Sequence, residues 1–358
     1  MFRPLKADIN LSALRANFKL AKKLQPNAKT LAVMKANAYG HGMLDCARGL
    51  NNLADGYAVA CMEEALVLHN GGLKLPVVLL EGIFSPREIA ICHKQNFIPV
   101  IHQQHQLQWF LESDIQLEQV WFKLDSGMHR LGMSVEELTQ ASKQLKAHSP
   151  KTQQVLVSHF ACADQPDHPL NQQQLDLVLS LAETLGLPLS FANSAALIGL
   201  PDSRASVQRP GIMMYGASPQ ENIPASELGL KPVMNLDSQV IAVRTLQPGE
   251  SCGYSLTWQA TQPTKLATVA IGYGDGYPRH AKSGTPVLVN GQRAKLAGRV
   301  SMDMITVDVT ELGAVNIGDP VRLWGEGLPV DEIATWADTI SYTLLTGVSP
   351  RVPRIVVE

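Results

Sequence analysis

The chain has 358 residues, 45% of them hydrophobic and 17% charged. That is ample material for a large α/β domain with a smaller companion, and it excludes a disordered chain. A net charge of −2 without any basic run argues against nucleic acid or an anionic membrane as the main partner.

The opening "MFRPLKADIN" has no apolar stretch behind its basic residues, so no signal peptide is expected. The longest apolar run, "PVVLLEGIF", is broken by Glu81 and is too short to cross a bilayer. Cys46, Cys61, Cys92, Cys162 and Cys252 are odd in number, widely spaced and without a C-x-x-C pair. Thiols in a reducing, cytoplasmic compartment are expected, with neither a disulfide frame nor a metal site.

Residues 1 to about 216 alternate between short apolar runs and amphipathic stretches of helical length. The runs are "KTLAVMK" (29–35), "DGYAVA" (55–60), "PVVLL" (76–80) and "FIPVI" (97–101). Four more follow at "QVWFKL" (119–124), "QQVLVSH" (153–159), "PLSFANS" (188–194) and "GIMMYG" (211–216). Between them lie stretches such as "VEELTQASKQLKAH" (135–148) and "LNQQQLDLVLSLAETLG" (170–186). The alternation predicts a parallel sheet covered on both faces, and the number of runs predicts a closed (β/α)8 TIM-type barrel.

Near residue 230 the texture changes. "NLDSQVIAVRTL", "KLATVAIGYG", "TPVLVN", "AKLAGRV" and "ITVDVT" read as strands, separated by "PGE", "SGT", "NGQ" and "IGD" turns. Helical texture returns at "VDEIATWADTI" (330–340). The prediction is a barrel domain over 1–230 followed by a mostly β-strand C-terminal domain over 231–358. The first few residues are available to pair with the second domain.

Lys35 leaves the first apolar run, where an ammonium is costly to desolvate. Two readings stand side by side. The side chain pairs with a nearby carboxylate, or partial desolvation turns it into a nucleophilic amine able to form a Schiff base. Catalytic groups of such a barrel sit where its strands end. Lys123 and Arg130 stand in "KLDSGMHRLG", His159 and Ser194 at later strand ends, and "RPGI" (Arg209 to Ile212) before the eighth run.

Gly211 allows close backbone approach, and N–H groups in such a loop can cradle phosphate, with hydroxyls from Ser194 and Tyr39 added. Each loop alone also reads as an ordinary turn. The glycine cluster "GYGDGY" (272–277) is no dinucleotide site, because Tyr277 stands where the third glycine is needed and no helix follows.

In chain order, "VMKANAYGHG", "KLDSGMHRLG", "SHF", "NSAA", "RPGI", "GYS", "IGYGDGY", "GRVSMDM" and "RVPR" closely resemble the bacterial alanine racemases. The resemblance runs from about residue 5 to 355. It implies an enzyme that interconverts L-alanine and D-alanine, for peptidoglycan supply or alanine catabolism. It also implies pyridoxal 5'-phosphate as cofactor and a homodimer with shared active sites.

Carried over, Lys35 would bear the cofactor and, with Tyr254, supply the two bases. Tyr39, Ser194, Gly211 and Ile212 would hold the phosphate. Arg209 would face the pyridine nitrogen with His159 beside it. Arg130 would meet the substrate carboxylate, positioned by a carbamylated Lys123; otherwise Lys123 is an ammonium paired with Asp125. Tyr273, Met302 and Asp303 would approach from the other subunit.

Three positions depart from the family pattern: Ser255 for a glycine after the tyrosine, Ser301 for a cysteine of some members, and Pro350, where some members place a tyrosine on the phosphate.

Overall fold

A computed structural model describes residues 2–358. Its first half is a closed barrel of parallel strands. With β1 (Lys6–Asn10) counted first, the barrel strands are β2 (Lys29–Val33), β3 (Gly56–Val59), β4 (Val77–Leu79) and β5 (Phe97–Ile101). They continue as β6 (Gln119–Lys123), β7 (Gln153–Val157), β8 (Leu189–Ser190) and β9 (Val207–Gln208), with β9 closing on β2. All of β3, β4 and β5 is buried, as expected of strands covered by helices outside and packed side chains inside.

One covering helix starts where its local sequence directs it. Val135–His148 begins with a capping box, in which Ser134 accepts from the Glu137 N–H and Glu137 accepts from the Ser134 N–H. No helix among the described residues is long and apolar enough to cross a membrane.

The eighth barrel strand is not "GIMMYG". It is the pair Val207–Gln208, and Ile212–Tyr215 forms a 3-10 turn. The four residues are fully buried, and burial on every side removes the periodicity that separates a strand from a turn. Asn17 meets one of the turn's polar needs by donating to Met214 O at 3.1 Å. Gly216, at φ 83°, ends it. The consequence is functional, since "RPGI" now follows the last strand and lies on the rim where catalytic groups gather.

The second half is a strand-rich domain around β10 (Met234–Leu246), a long strand with a bulge between Val240 and Ala242. After the short pair β11 (Ser251–Cys252) and β12 (Trp258–Gln259) come β13 (Thr264–Val269), β14 (Pro286–Val289) and β15 (Gln292–Leu296). β16 (Ile305–Asp308), β17 (Pro320–Trp324) and β18 (Arg354–Val357) complete the set. The sheet order is β13-β16-β15-β14-β17-β10-β1-β18, and β13 also pairs with β10, which closes six of the strands into a ring.

β14 and β15 form a hairpin over Asn290 and Gly291, at φ 51° and 76°, the pair of positive angles that a type I′ turn requires. Residues Lys6–Asn10 stand in this sheet, antiparallel to β10 and parallel to β18, so both chain ends belong to the second domain.

Candidate active site

β2 ends at Val33, two residues short of Lys35. The chain then turns through Ala36, Asn37, Ala38 and Tyr39 at φ 52°, 54°, 55° and 51°. Four successive L-residues in the left-handed region cost about 1–2 kcal/mol each, so surrounding structure has to impose this turn.

Glu64 accepts from the Ala36 N–H at 2.6 Å and from the Ala60 N–H at 2.8 Å, tying the turn to the end of β3. Asn37 Oδ1 accepts from the Met43 N–H at 2.8 Å. His41 Nδ1 donates to the carbonyls of Ala38 and Tyr39 at 3.0 and 2.9 Å, and its ring stacks on Tyr215. Gly40, at φ 82°, has no room for a Cβ, which would lie 2.1 Å from Leu345 O. The helix that supplies Leu345, Ser341–Gly347, lies between β17 and β18 of the strand domain, so the second domain presses directly on the turn after Lys35.

One cavity of about 400 Å³ opens at the rim where the barrel strands end. Lys35, Tyr39, Lys123, Arg130, His159, Ser194, Arg209, Gly211 and Ile212 all line it. Sequence reasoning brought these nine to one rim, and the fold places them around one space. Tyr254, Tyr273, Met302 and Asp303 do not line it. Tyr254 is 67% exposed, and Tyr273 and Met302 are exposed as well.

Pro350 is absent from the lining too. The tyrosine that joins Tyr39 at the cavity is Tyr342, and their ring centroids lie 5.9 Å apart. Its only sequence signal was an aromatic near a predicted helix. Glu81 was likewise missed as a site residue, having been read merely as a break in an apolar run, and it is the one acidic side chain of the lining among the described residues.

At one end of the cavity the groups are hydroxyls and amides. Ser194 Oγ accepts from the Gly211 N–H at 2.7 Å and from Met213 at 3.4 Å, which leaves its own O–H free to donate. The Tyr39 hydroxyl lies over Gly211, where an added Cβ would come within 2.6 Å of it. Burial, with Tyr342 beside it, raises Tyr39 well above the ordinary tyrosine range, so its phenol stays a donor.

Elsewhere the wall is cationic. Arg209 is buried and donates to Ser190 Oγ at 2.5 Å, Ser158 O at 2.8 Å and Phe191 O at 3.4 Å, which fixes the guanidinium plane. Burial lowers its pKa to about 10. Burial and then the charges of Arg209, Lys123, Arg130 and Lys35 push His159 well below the usual histidine value, so its ring is neutral.

Lys35 is lowered by burial and by Arg130 and Arg209, against the opposing pull of Glu81 and Glu64. No carboxylate lies within ion-pair distance of it among the described residues, which sets aside the first reading of its position. Lys123 is lowered to about 8, by burial first and then by Arg209, Arg130 and Lys35. Its sequence partner is engaged elsewhere: Asp125 accepts from the Gly127 and His129 N–H groups at 3.1 and 3.0 Å and from His129 Nδ1 at 3.0 Å.

Ser255 follows Tyr254 at φ 61°, in the left-handed region where a glycine is free and a serine is strained. Its hydroxyl accepts from Arg299 at 3.2 Å.

Such a cavity suits a small anionic ligand carried beside a reactive amine. Residues 9–219 match the family described as alanine racemase, N-terminal domain, and residues 233–356 match alanine racemase, C-terminal domain. The chain is 48% identical to an alanine racemase of Chromohalobacter salexigens over 356 residues, covering 99% of this chain and 98% of that one. The crystal structure of biosynthetic alanine racemase from Pseudomonas aeruginosa superposes with a TM-score of 0.96 at 47% identity, over the full length of both chains. The structure of alanine racemase from Acinetobacter baumannii gives 0.95 at 41% identity, over 99% of this chain and all of the other. Two family matches that divide the chain between barrel and strand domain, with full-length relatives at this identity, lead to one conclusion: the chain belongs to the alanine racemase family.

Proposed function

We propose that this enzyme interconverts L-alanine and D-alanine with pyridoxal 5'-phosphate held on Lys35, using one base on each face of the reacting carbon. The observation that carries the reading is the single cavity in which a desolvated lysine, a cradle of hydroxyl and amide donors and two arginines meet. The residues present fit the cofactor, since Gly211 leaves only the space that a Cβ would fill, directly under the Tyr39 hydroxyl. When bound, the cofactor supplies the electron sink that lets an amino acid lose its α-proton.

The protein's own groups do the rest. Tyr39, Ser194 and Ile212, joined by Tyr342, offer donors to the phosphate, and Gly211 leaves the room that brings it close. Lys35, its pKa lowered by burial and by arginines, moves a proton on one face. Arg130 meets the substrate carboxylate, and a carbamate on Lys123 orients it.

Arg209 offers only donors, so it can hydrogen-bond a ring nitrogen without giving up its proton. His159, held neutral, lies in the wall beside it without adding charge.

The second base is Tyr254, supplied by a second copy of the chain. Its exposure, with that of Tyr273 and Met302, supports a two-fold assembly in which each strand domain completes the partner's cavity. The description of the Pseudomonas relative as biosynthetic supports D-alanine supply, for peptidoglycan, as the role.

Borohydride reduction and peptide mapping should find a pyridoxyl group on Lys35, and a label on another lysine overturns the assignment. Subunits carrying Lys35→Ala and Tyr254→Phe should regain activity on mixing, because one site of each hybrid has both bases. No recovery after verified subunit exchange rejects shared sites.

A further inference from the structure

The loops Gly272–Tyr277 and Ser301–Met304 carry Tyr273 and Met302, whose side chains are 40% and 53% exposed. Their backbones, by contrast, are tied down. Tyr273 N donates to Ser301 O at 3.0 Å, and Gly274 N donates to Met302 O at 2.9 Å. The loops are pressed so close that a Cβ on Gly272 would fall 2.3 Å from Ser301 O.

Beneath them lies Asp275, whose side chain is fully buried. A buried carboxylate is costly unless paired. Its partner comes from the other end of the sequence: Arg3 donates to its two oxygens at 2.5 and 2.7 Å. The same guanidinium donates to Asp303 O at 2.9 Å. Arg351 stands 3.5 Å from Asp275 and donates to Asp303 Oδ1 at 2.6 Å. Two arginines from opposite chain ends therefore fasten both loops. Fixed backbone under exposed tyrosine and methionine is the arrangement of a preformed contact surface, built before its partner arrives.

We propose that Arg3 and Arg351, acting through Asp275 and Asp303, are positioning residues for the active site of the partner subunit. They hold Tyr273 and Met302 in the geometry that closes the second copy's cavity. The proposal rests on the shared-site reading above. It predicts that losing the clamp harms the neighbour's site and spares the subunit's own barrel.

Arg3→Gln should raise KM for alanine about tenfold, with a smaller change in kcat, since a displacement of about an ångström suffices to spoil substrate contacts. Arg3→Lys should recover part of the loss. Arg351→Gln keeps the Arg3–Asp275 pair and should shift KM in the same direction by less; it carries the test should Arg3→Gln fail to fold.

The decisive measurement uses two differentially tagged, purified hybrid holoenzymes. In the first, a Lys35→Ala subunit is joined to an Arg3→Gln subunit. Its one live barrel receives intact loops and should show the wild-type KM. In the second, a subunit with both substitutions is joined to wild type. Its live barrel is unaltered yet receives the loosened loops, so KM should be raised. The opposite pattern, with the defect following the altered barrel, overturns the proposal, as does a wild-type KM in both hybrids. If Lys35→Ala and Tyr254→Phe subunits fail to complement each other, the shared-site reading falls first, and that result is distinguishable from either.

Discussion

A Cβ at position 211 would lie 2.6 Å from the Tyr39 hydroxyl, so the smallest side chain at one position sets the place of the phenol at the other. Tyr39 is held from behind by Tyr215, whose ring centroid lies 4.9 Å away, and cannot simply retreat.

Gly211→Ala should therefore displace the phenol and weaken cofactor retention by about 1.5–3 kcal/mol, the worth of one good donor to a charged group. Dialysis of the loaded enzyme with absorbance of the retained cofactor measures this directly. Retention equal to wild type would show that Tyr39 does not contribute.

Lys123 is held down to about 8, so its neutral amine gains population as pH climbs through that value. Only the neutral amine attacks carbon dioxide, with loss of a proton, to give the anion that can pair with Arg130. Carbamate formation at fixed dissolved carbon dioxide should rise across roughly pH 7 to 9. Carbon-13 NMR with labelled bicarbonate should show a carbamate signal that Lys123→Met lacks. Glu81 pulls the lysine pKa upward, so Glu81→Gln should shift the same titration to lower pH. A titration that moves upward instead would contradict this arrangement of charges.

The proposed role of Arg209 is to set which product leaves. Arg209→Glu sets a carboxylate against the carbonyls of Ser158 and Phe191, now partners of the guanidinium, and should slow racemisation at least about a hundredfold. The ratio of pyruvate to D-alanine does not depend on how much protein remains folded. It should rise, because a carboxylate at the ring nitrogen deepens the electron sink and lets protons return to the wrong carbon. An unchanged ratio would place the control of reaction outcome elsewhere.

The left-handed turn after Lys35 stores strain that a glycine would release. Ala36, at φ 52°, is its first member, and its N–H bond to Glu64 needs no side chain. Ala36→Gly should raise the thermal midpoint of unfolding, by an amount matching about 1 kcal/mol, the lower end of the left-handed penalty. A lower midpoint would mean that the alanine methyl contributes more packing than its strain costs.

Much of this protein is set by local rules that its sequence states openly. The alternation of apolar runs and amphipathic stretches determines the barrel, because each strand must be buried on both faces and each helix on one. The shift to hairpin turns near residue 230 determines the strand domain for a similar reason, as in the Asn290–Gly291 turn, which few other pairs could make. Lys35, Lys123, Arg130, His159, Ser194 and Arg209 were legible as rim residues because strand ends share one edge of a closed sheet.

Only the tertiary structure decided the rest. Burial on every side made Ile212–Tyr215 look like a strand, and packing made it a turn. Tyr342 and Glu81 join the cavity across long stretches of chain that no periodicity connects. The left-handed turn over residues 36–39 breaks local preference; Glu64 and the helix bearing Leu345 impose it from outside, and the bond of Asn37 to the Met43 N–H holds it from within. Arg3 meets Asp275 because the two chain ends return to one domain, a pairing across 272 residues that exists only once the fold has formed.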